Sequence, residues 1–179
     1  MTAVTTAGLI HDRWPSPLGP LDLVFDDEGR LHALEFGGEP LAAGGVGRRR
    51  RRASWPDLRE ASAPDAIVVA LTAYFAGEIG ELDAITIQPS GTPFQQAVWA
   101  ALRTIRPGTT STYGRLAAQI GRPGAGRAVG LANGSNPIGI VVPCHRVIGG
   151  DGSLTGYGGG MDRKRWLLDH ERRWSAGGI

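Results

Sequence analysis

The stretch Thr112–Asn133, TYGRLAAQIGRPGAGRAVGLAN, decides how the rest of the chain is read. A threonine at its head suits the N-cap position, because its hydroxyl can accept a bond from a free backbone N–H of the first turn. Tyr113 to Ile120 then read as a short helix that Gly121 ends. Arg122-Pro123-Gly124 reads as a turn, and Ala125 to Asn133 as a second short helix. Two short helices joined by a Gly- and Pro-containing turn have the form of a helix-turn-helix. The pattern alone also fits helical hairpins that bind no nucleic acid, so charge has to discriminate.

The formal net charge of the 179 residues is only +2, but its distribution is uneven. Residues 1–89 hold 8 Arg against 13 Asp or Glu, a balance of −5. Residues 90–179 hold 10 Arg and Lys164 against 4 acids, a balance of +7. The second half therefore has the charge of a polyanion-binding module, and the first does not. The ratio of 18 Arg to one Lys, with abundant Ala and Gly, fits a GC-rich coding sequence. That bias explains arginine in place of lysine, not the segregation of the acids.

Outward from the central stretch, Thr92-Pro93-Phe94-Gln95 has the form of a capping box with proline at the first helical position. Phe94, Val98, Ala101, Leu102 and Ile105 follow at helical spacing until Arg106-Pro107-Gly108. After Ser135-Asn136-Pro137, Ile138 to Val142 form a short apolar run that delivers Pro143-Cys144-His145-Arg146. Residues 149–160, GGDGSLTGYGGG, read as a Gly-rich loop or hairpin, and a last helix spans about Asp162 to Arg173 with Trp166, Leu167 and His170 inward.

The first half reads differently. Leu21, Leu23 and Phe25 alternate along a strand, Asp26 to Gly29 turn, and Leu31 to Phe36 return. Residues 37–63 are rich in Gly, Ala, Pro and Arg and include the run Arg48 to Arg52, a pattern of solvated segments. A helix is expected over 64–77, with Pro64 in its first turn and an Ile67, Leu71, Phe75 stripe. Residues 82–91 are expected to form a short strand and a linker. The expected fold is α/β plus α: a small N-terminal antiparallel sheet-and-helix domain over 1–89, then a mainly helical domain over 90–179 with the helix-turn-helix. No apolar run approaches the roughly 20 residues that span a bilayer, and MTAVTTAGLIHDRW lacks the basic and apolar regions of a secretion signal. The expectation is a cytoplasmic protein.

One cysteine among 179 residues excludes an internal disulfide and any multi-cysteine zinc site. A lone cysteine is usually a small buried hydrophobe. Cys144, however, ends an apolar run and precedes a histidine and an arginine. A neighbouring base or cation raises the reactive thiolate population. On an extended chain adjacent side chains point apart, so His145 would reach the sulfur through a water. Glu171 on the last helix could orient His145 as a triad member does. The residues alone leave these partners open.

At Pro143-Cys144-His145-Arg146-Val147-Ile148 the chain resembles the O6-alkylguanine-DNA alkyltransferases. The resemblance extends over most of residues 90–173, through Phe94-Gln95, Val98-Trp99, Thr112-Tyr113-Gly114, Arg127-Ala128-Val129-Gly130, Asn136-Pro137 and Gly156-Tyr157-Gly158-Gly159. In the first half, Ser16 to Leu21 and Leu71 to Gly77 look like the family's N-terminal domain. The resemblance implies single-turnover transfer of an alkyl group from O6-alkylguanine in double-stranded DNA to Cys144, by a monomer needing no cofactor and no metal. It implies that His145 takes the thiol proton through a water and that Glu171 stabilises the imidazolium. Tyr113 would donate to guanine N3. Arg127 would fill the gap left by a flipped nucleotide, with Thr112, Ala128 and Gly130 at the DNA surface. Asn136 would lock the turn before the active-site strand. Val142, Tyr157 and Gly158 would belong to the base pocket.

Two rivals remain at this level. A Cys-His hydrolase usually brings its histidine from a distant segment, which adjacent Cys144-His145 disfavours. A DNA-binding regulator with an inert cysteine would be indifferent to loss of the Cys144 thiol.

Overall fold

The computed structural model describes residues 8–37 and 58–175, so the Arg48 to Arg52 run lies outside the described residues. Strands β1 (Ile10–Trp14), β2 (Leu21–Phe25) and β3 (Leu31–Phe36) pair antiparallel in chain order. The period-2 alternation sends Leu21, Leu23 and Phe25 into the core at 0–2 % exposure. Val24 is buried on the opposite face with Leu9 and Ala33, where Leu58 packs on them. The sheet is mixed rather than antiparallel throughout. β4 (Arg59–Glu60) joins β1 in parallel and gives the order β3-β2-β1-β4.

Helix α1 (Asp65–Ala76) starts one residue later than expected, with Pro64 as its N-cap, and ends at Gly77. Gly77 has φ of 110°, a left-handed conformation that glycine adopts without a Cβ penalty. The strand expected over 82–91 is not formed. Glu81–Ala84 make a 3-10 turn, and only Ile87 bridges to Leu31. Pro89 has no N–H with which to extend that ladder.

Helix α2 (Pro93–Arg103) carries the full capping box. The Gln95 N–H donates to Thr92 Oγ1 at 3.2 Å, and the Thr92 N–H donates to Gln95 Oε1 at 2.9 Å. β5 (Ser111–Thr112) leads directly into α3 (Tyr113–Gln119), and α4 (Gly126–Gly134) follows after the turn. β6 (Val147–Ile148) pairs in parallel with β5, and α5 (Met161–Ser175) closes the described chain. Residues 149–160 form turns without strand pairing. Trp99, Leu102, Leu116, Val129, Val142 and Leu167 share one apolar cluster with Leu23, Leu71 and Tyr74. The two halves thus pack on a common core. Among the described residues no helix is long and apolar enough to cross a membrane.

Candidate active site

The chain reaches Cys144 through a bent segment, not a strand. Ile138 makes one bridge to Leu34, where the Leu34 N–H donates to Pro137 O and the Gly139 N–H to Leu34 O, both at 2.9 Å. Ile140 then takes φ of 68°, an uncommon value for a β-branched residue, with its side chain fully buried. Asn136 spans this bend: its amide donates to Val142 O at 2.8 Å, and its Oδ1 accepts from the Ile138 N–H at 3.0 Å. Cys144, His145 and Arg146 form a single 3-10 turn. The extended backbone expected at Cys144 is therefore corrected: neighbouring side chains here diverge by about a third of a turn.

His145 and Glu171 are fully buried. His145 Nε2 lies 2.8 Å from Glu171 Oε1. The same carboxylate accepts from Arg146 Nε and Nη2 (2.9 Å each), from the Tyr74 hydroxyl (2.9 Å) and from the Gly108 N–H (3.2 Å). Burial alone would raise the Glu171 carboxyl, but the bonds and charges of His145 and Arg146 outweigh it and hold it well below the usual carboxylate range. An ionised carboxylate only accepts, so Nε2 carries the imidazole hydrogen and Nδ1 presents its lone pair. Nδ1 is buried and has no hydrogen-bond partner among the described protein atoms.

Burial pushes the His145 pKa below the ordinary histidine value despite Glu171. The ring is neutral at rest. Burial likewise pushes the Cys144 thiol up, opposed by the Asn136 amide and the charge of Lys164. The resting pair is thus a thiol beside a neutral base. Lys164 is itself fully buried, with Nζ donating to Val147 O at 2.6 Å and Thr155 O at 3.0 Å. Burial lowers its pKa, while Cys144 opposes that shift.

Thr112 caps α3, accepting from the Arg115 N–H at 3.3 Å. Tyr113 opens that helix with its ring against α4. A Cβ on Gly130 would sit 3.7 Å from the ring, and one on Gly126 4.0 Å from Tyr113 Cβ. Gly130 is thus half-buried and turned towards Tyr113. Arg127, Ala128, Leu131 and Gly134 form the exposed stripe of α4. Leu131 is 75 % exposed. Tyr157 stacks edge-on to both His145 and Phe36, with its hydroxyl buried and unpartnered among the described protein atoms. Gly158 is exposed on the same loop.

The structure brings Cys144, His145, Glu171, Asn136, Val142 and Tyr157 together, with Tyr113 joined to the Gly-rich loop at Thr155. Arg127 and Ala128 face outward on α4. Sequence reasoning missed Tyr74, Lys164 and Thr155, and gave Arg146 no partner. Arg and Lys at helical positions read as solvated, and Tyr74 lies 97 positions before Glu171 in the chain. Among the described residues no group of three or more His, Cys, Asp or Glu is placed to hold a metal ion.

Comparison with known proteins gives two family matches. Residues 9–89 match the 6-O-methylguanine DNA methyltransferase ribonuclease-like domain, and residues 93–173 match its DNA-binding domain. The chain is 48 % identical over 163 residues to the Methylated-DNA--protein-cysteine methyltransferase of Salmonella typhimurium, covering 91 % of this chain and 95 % of that one. It is 51 % identical over 168 residues to the protein of the same name from Mycobacterium bovis, covering 92 % and 93 %. The crystal structure of Mycobacterium tuberculosis OGT in complex with DNA superposes with a TM-score of 0.77 at 47 % identity, covering 92 % and 93 %.

Proposed function

The chain belongs to the 6-O-methylguanine DNA methyltransferase family, and from that premise we propose that Cys144 is the alkyl acceptor and His145 its base. The activity is direct-reversal DNA repair, the transfer of an alkyl group from DNA to a protein cysteine. The observation that carries the assignment of roles is the buried His145–Glu171 pair beside the chain's one cysteine, with Nδ1 left as the basic nitrogen.

In this reading the thiol proton passes through one water to His145 Nδ1, and Glu171 stabilises the imidazolium that forms. Cys144 Sγ attacks the alkyl carbon in line with O6, a C–S bond forms, and the C–O6 bond breaks. The electron pair enters the guanine ring, and the Tyr113 hydroxyl gives its proton to N3, so guanine departs neutral. The thioether has no leaving pathway, so each molecule acts once. Val142, Asn136, Tyr157 and Gly158 bound the base pocket. No cofactor takes part.

The lesion cannot be reached inside a duplex. Extruding a nucleotide requires a few kcal/mol, offset by inserted side chains and pocket contacts. The helices α3 and α4 act as a helix-turn-helix, with α4 in the minor groove and Arg127 in the vacated stack. The +7 charge of residues 90–179 and the DNA complex of the tuberculosis relative support DNA as the partner. Residues 1–89 buttress the site, and residues 90–179 carry chemistry and DNA contact. The protein works as a cytoplasmic monomer.

The direct test is intact mass after incubation with duplex DNA carrying one O6-methylguanine. One methyl per molecule, mapped to the Cys144 peptide and without turnover, is expected. Lesion binding with no mass gain would place the chain among lesion sensors.

Arg127→Ala separates flipping from chemistry. Repair in duplex DNA should fall by about tenfold or more, while reaction with free O6-benzylguanine base stays within about twofold. Equal losses on the two substrates would remove Arg127 from the flipping role.

A further inference from the structure

Thr155 lies on the Gly-rich loop, 42 positions after Tyr113, yet its Oγ1 sits 2.7 Å from the Tyr113 hydroxyl, a hydrogen bond between two half-buried groups. We propose that Thr155 is a positioning residue for the transfer: its hydroxyl donates to the Tyr113 oxygen, which leaves the Tyr113 proton aimed at the flipped guanine. The inference rests on the reading of Tyr113 as proton donor given above.

The backbone around this contact is held from both sides. Tyr113 directly follows β5, whose Ser111 and Thr112 pair with Val147 and Ile148 of β6. β6 in turn begins where the Cys144–Arg146 turn ends. On the other side, buried Lys164 bonds the carbonyls of Val147 and Thr155 through a single ammonium group. Both hydroxyl-bearing residues are thus tied to Val147, three residues after the nucleophile. The Tyr113–Thr155 bond closes the circuit. Gly130 of α4 faces the edge of the Tyr113 ring, where a Cβ would stand 3.7 Å away, so the ring lies along this helix while its hydroxyl is directed by the bond to Thr155.

The chemistry favours threonine as donor during reaction. A hydroxyl that accepts one hydrogen bond donates a stronger one, because the chain polarises cooperatively. As the C–S bond forms and the C–O6 bond breaks, one proton moves from Tyr113 Oη to guanine N3. The phenolate character that develops on Tyr113 is then met by the Thr155 O–H, which keeps its own proton. A bond to a group gaining charge is worth more than a neutral one, which places the expected effect near tenfold in rate.

The test is a double-mutant cycle on single-turnover methyl transfer from duplex DNA, using Thr155→Val, Tyr113→Phe and the double variant, with Thr155→Ser as the conservative control. Thr155→Val should slow transfer about tenfold, Thr155→Ser should stay within about threefold of the parent, and Thr155→Val should add nothing in the Tyr113→Phe background. Affinity for unmodified duplex should not change. If Tyr113→Phe slows transfer but Thr155→Val multiplies that loss independently, or has no effect alone, the positioning role is overturned and the Tyr113 reading stands. If Tyr113→Phe reacts at the parent rate, the Tyr113 reading falls and the role of Thr155 falls with it. A loop defect would also slow the double variant further and would not be rescued by serine.

Discussion

Replacing Cys144 with serine is expected to abolish alkyl transfer, by at least about a thousandfold, and to leave binding to unmodified duplex DNA within about twofold. The Cys144 thiol is raised by burial and His145 is lowered, so the enzyme holds a thiol beside a neutral base, not a preformed ion pair. A weak base of that kind can draw a proton from a thiol. Drawing one from a serine hydroxyl, whose pKa lies far higher, is much harder, and oxygen is the poorer nucleophile towards saturated carbon. The swap is close to isosteric at a residue 8 % exposed, so the fold and the outward stripe of α4 are left intact. Mass spectrometry reads the transfer, and fluorescence anisotropy on labelled duplex reads the binding. A serine variant that still accepts a methyl group would displace Cys144 as acceptor. Parallel loss of DNA binding would instead mark Cys144 as a residue on which the fold itself depends.

Periodic features were the legible ones. The alternation Leu21, Leu23, Phe25 places three side chains in the core, and the Thr92/Gln95 box starts α2 where its residue types require. Both are local, and each is decided by a few adjacent residues. The helices around Arg122-Pro123-Gly124 were legible for the same reason. Their use on DNA is not a local property, and it rested on the charge of the second half and on resemblance. The bend before Cys144 was hidden. Ile138 to Val142 is apolar and β-branched enough to suggest a strand, and nothing in an isoleucine announces φ of 68°. Asn136 bonding across to Val142 makes that bend, and its effect appears only once the chain has turned back.

The site was half legible. Cys144 and His145 adjoin, so a nucleophile and its base could be proposed from neighbours. Glu171 could be placed only by resemblance, because an acid among Arg172, Arg173 and Asp169 on a terminal helix reads as a surface charge. Nothing around Arg163 and Lys164 in the sequence marks them as buried, yet they are 5 % and 0 % exposed. Their charged ends are met by backbone carbonyls of distant segments: Val147 and Thr155 for Lys164, and Leu18 and Gly159 for Arg163. No window of sequence contains both a buried charge and the carbonyl that satisfies it.

Glu171→Gln should combine a stability loss with a catalytic one, and the two can be separated. The carboxylate accepts from five donors, two of them on buried Arg146. Neutralising it leaves the Arg146 guanidinium uncompensated in the core, which destabilises a protein by about 3–5 kcal/mol. In a chain of this size that lowers the melting temperature by roughly 6–20 °C. Transfer should slow at least about a hundredfold, because a neutral amide no longer stabilises the His145 imidazolium. The pair Glu171→Gln with Arg146→Met removes both charges and should recover most of the stability while the rate stays low. The pH dependence follows the same logic. The folded Glu171 pKa is depressed, so its stabilisation is complete above the unfolded carboxylate value of about 4.3 and is lost as pH falls towards the folded value. The folded His145 pKa is also depressed, so protonation of the unfolded chain erodes stability already below about 6.5. Thermal melts from pH 8 to pH 3 on the parent should therefore show a loss beginning below 6.5 and steepening below 4.3. The Glu171→Gln variant should lack the second, steeper part that this carboxylate contributes. A double variant that regains its rate along with its stability would reduce Glu171 to a packing residue. One that regains stability alone makes the carboxylate the electrostatic partner of the base.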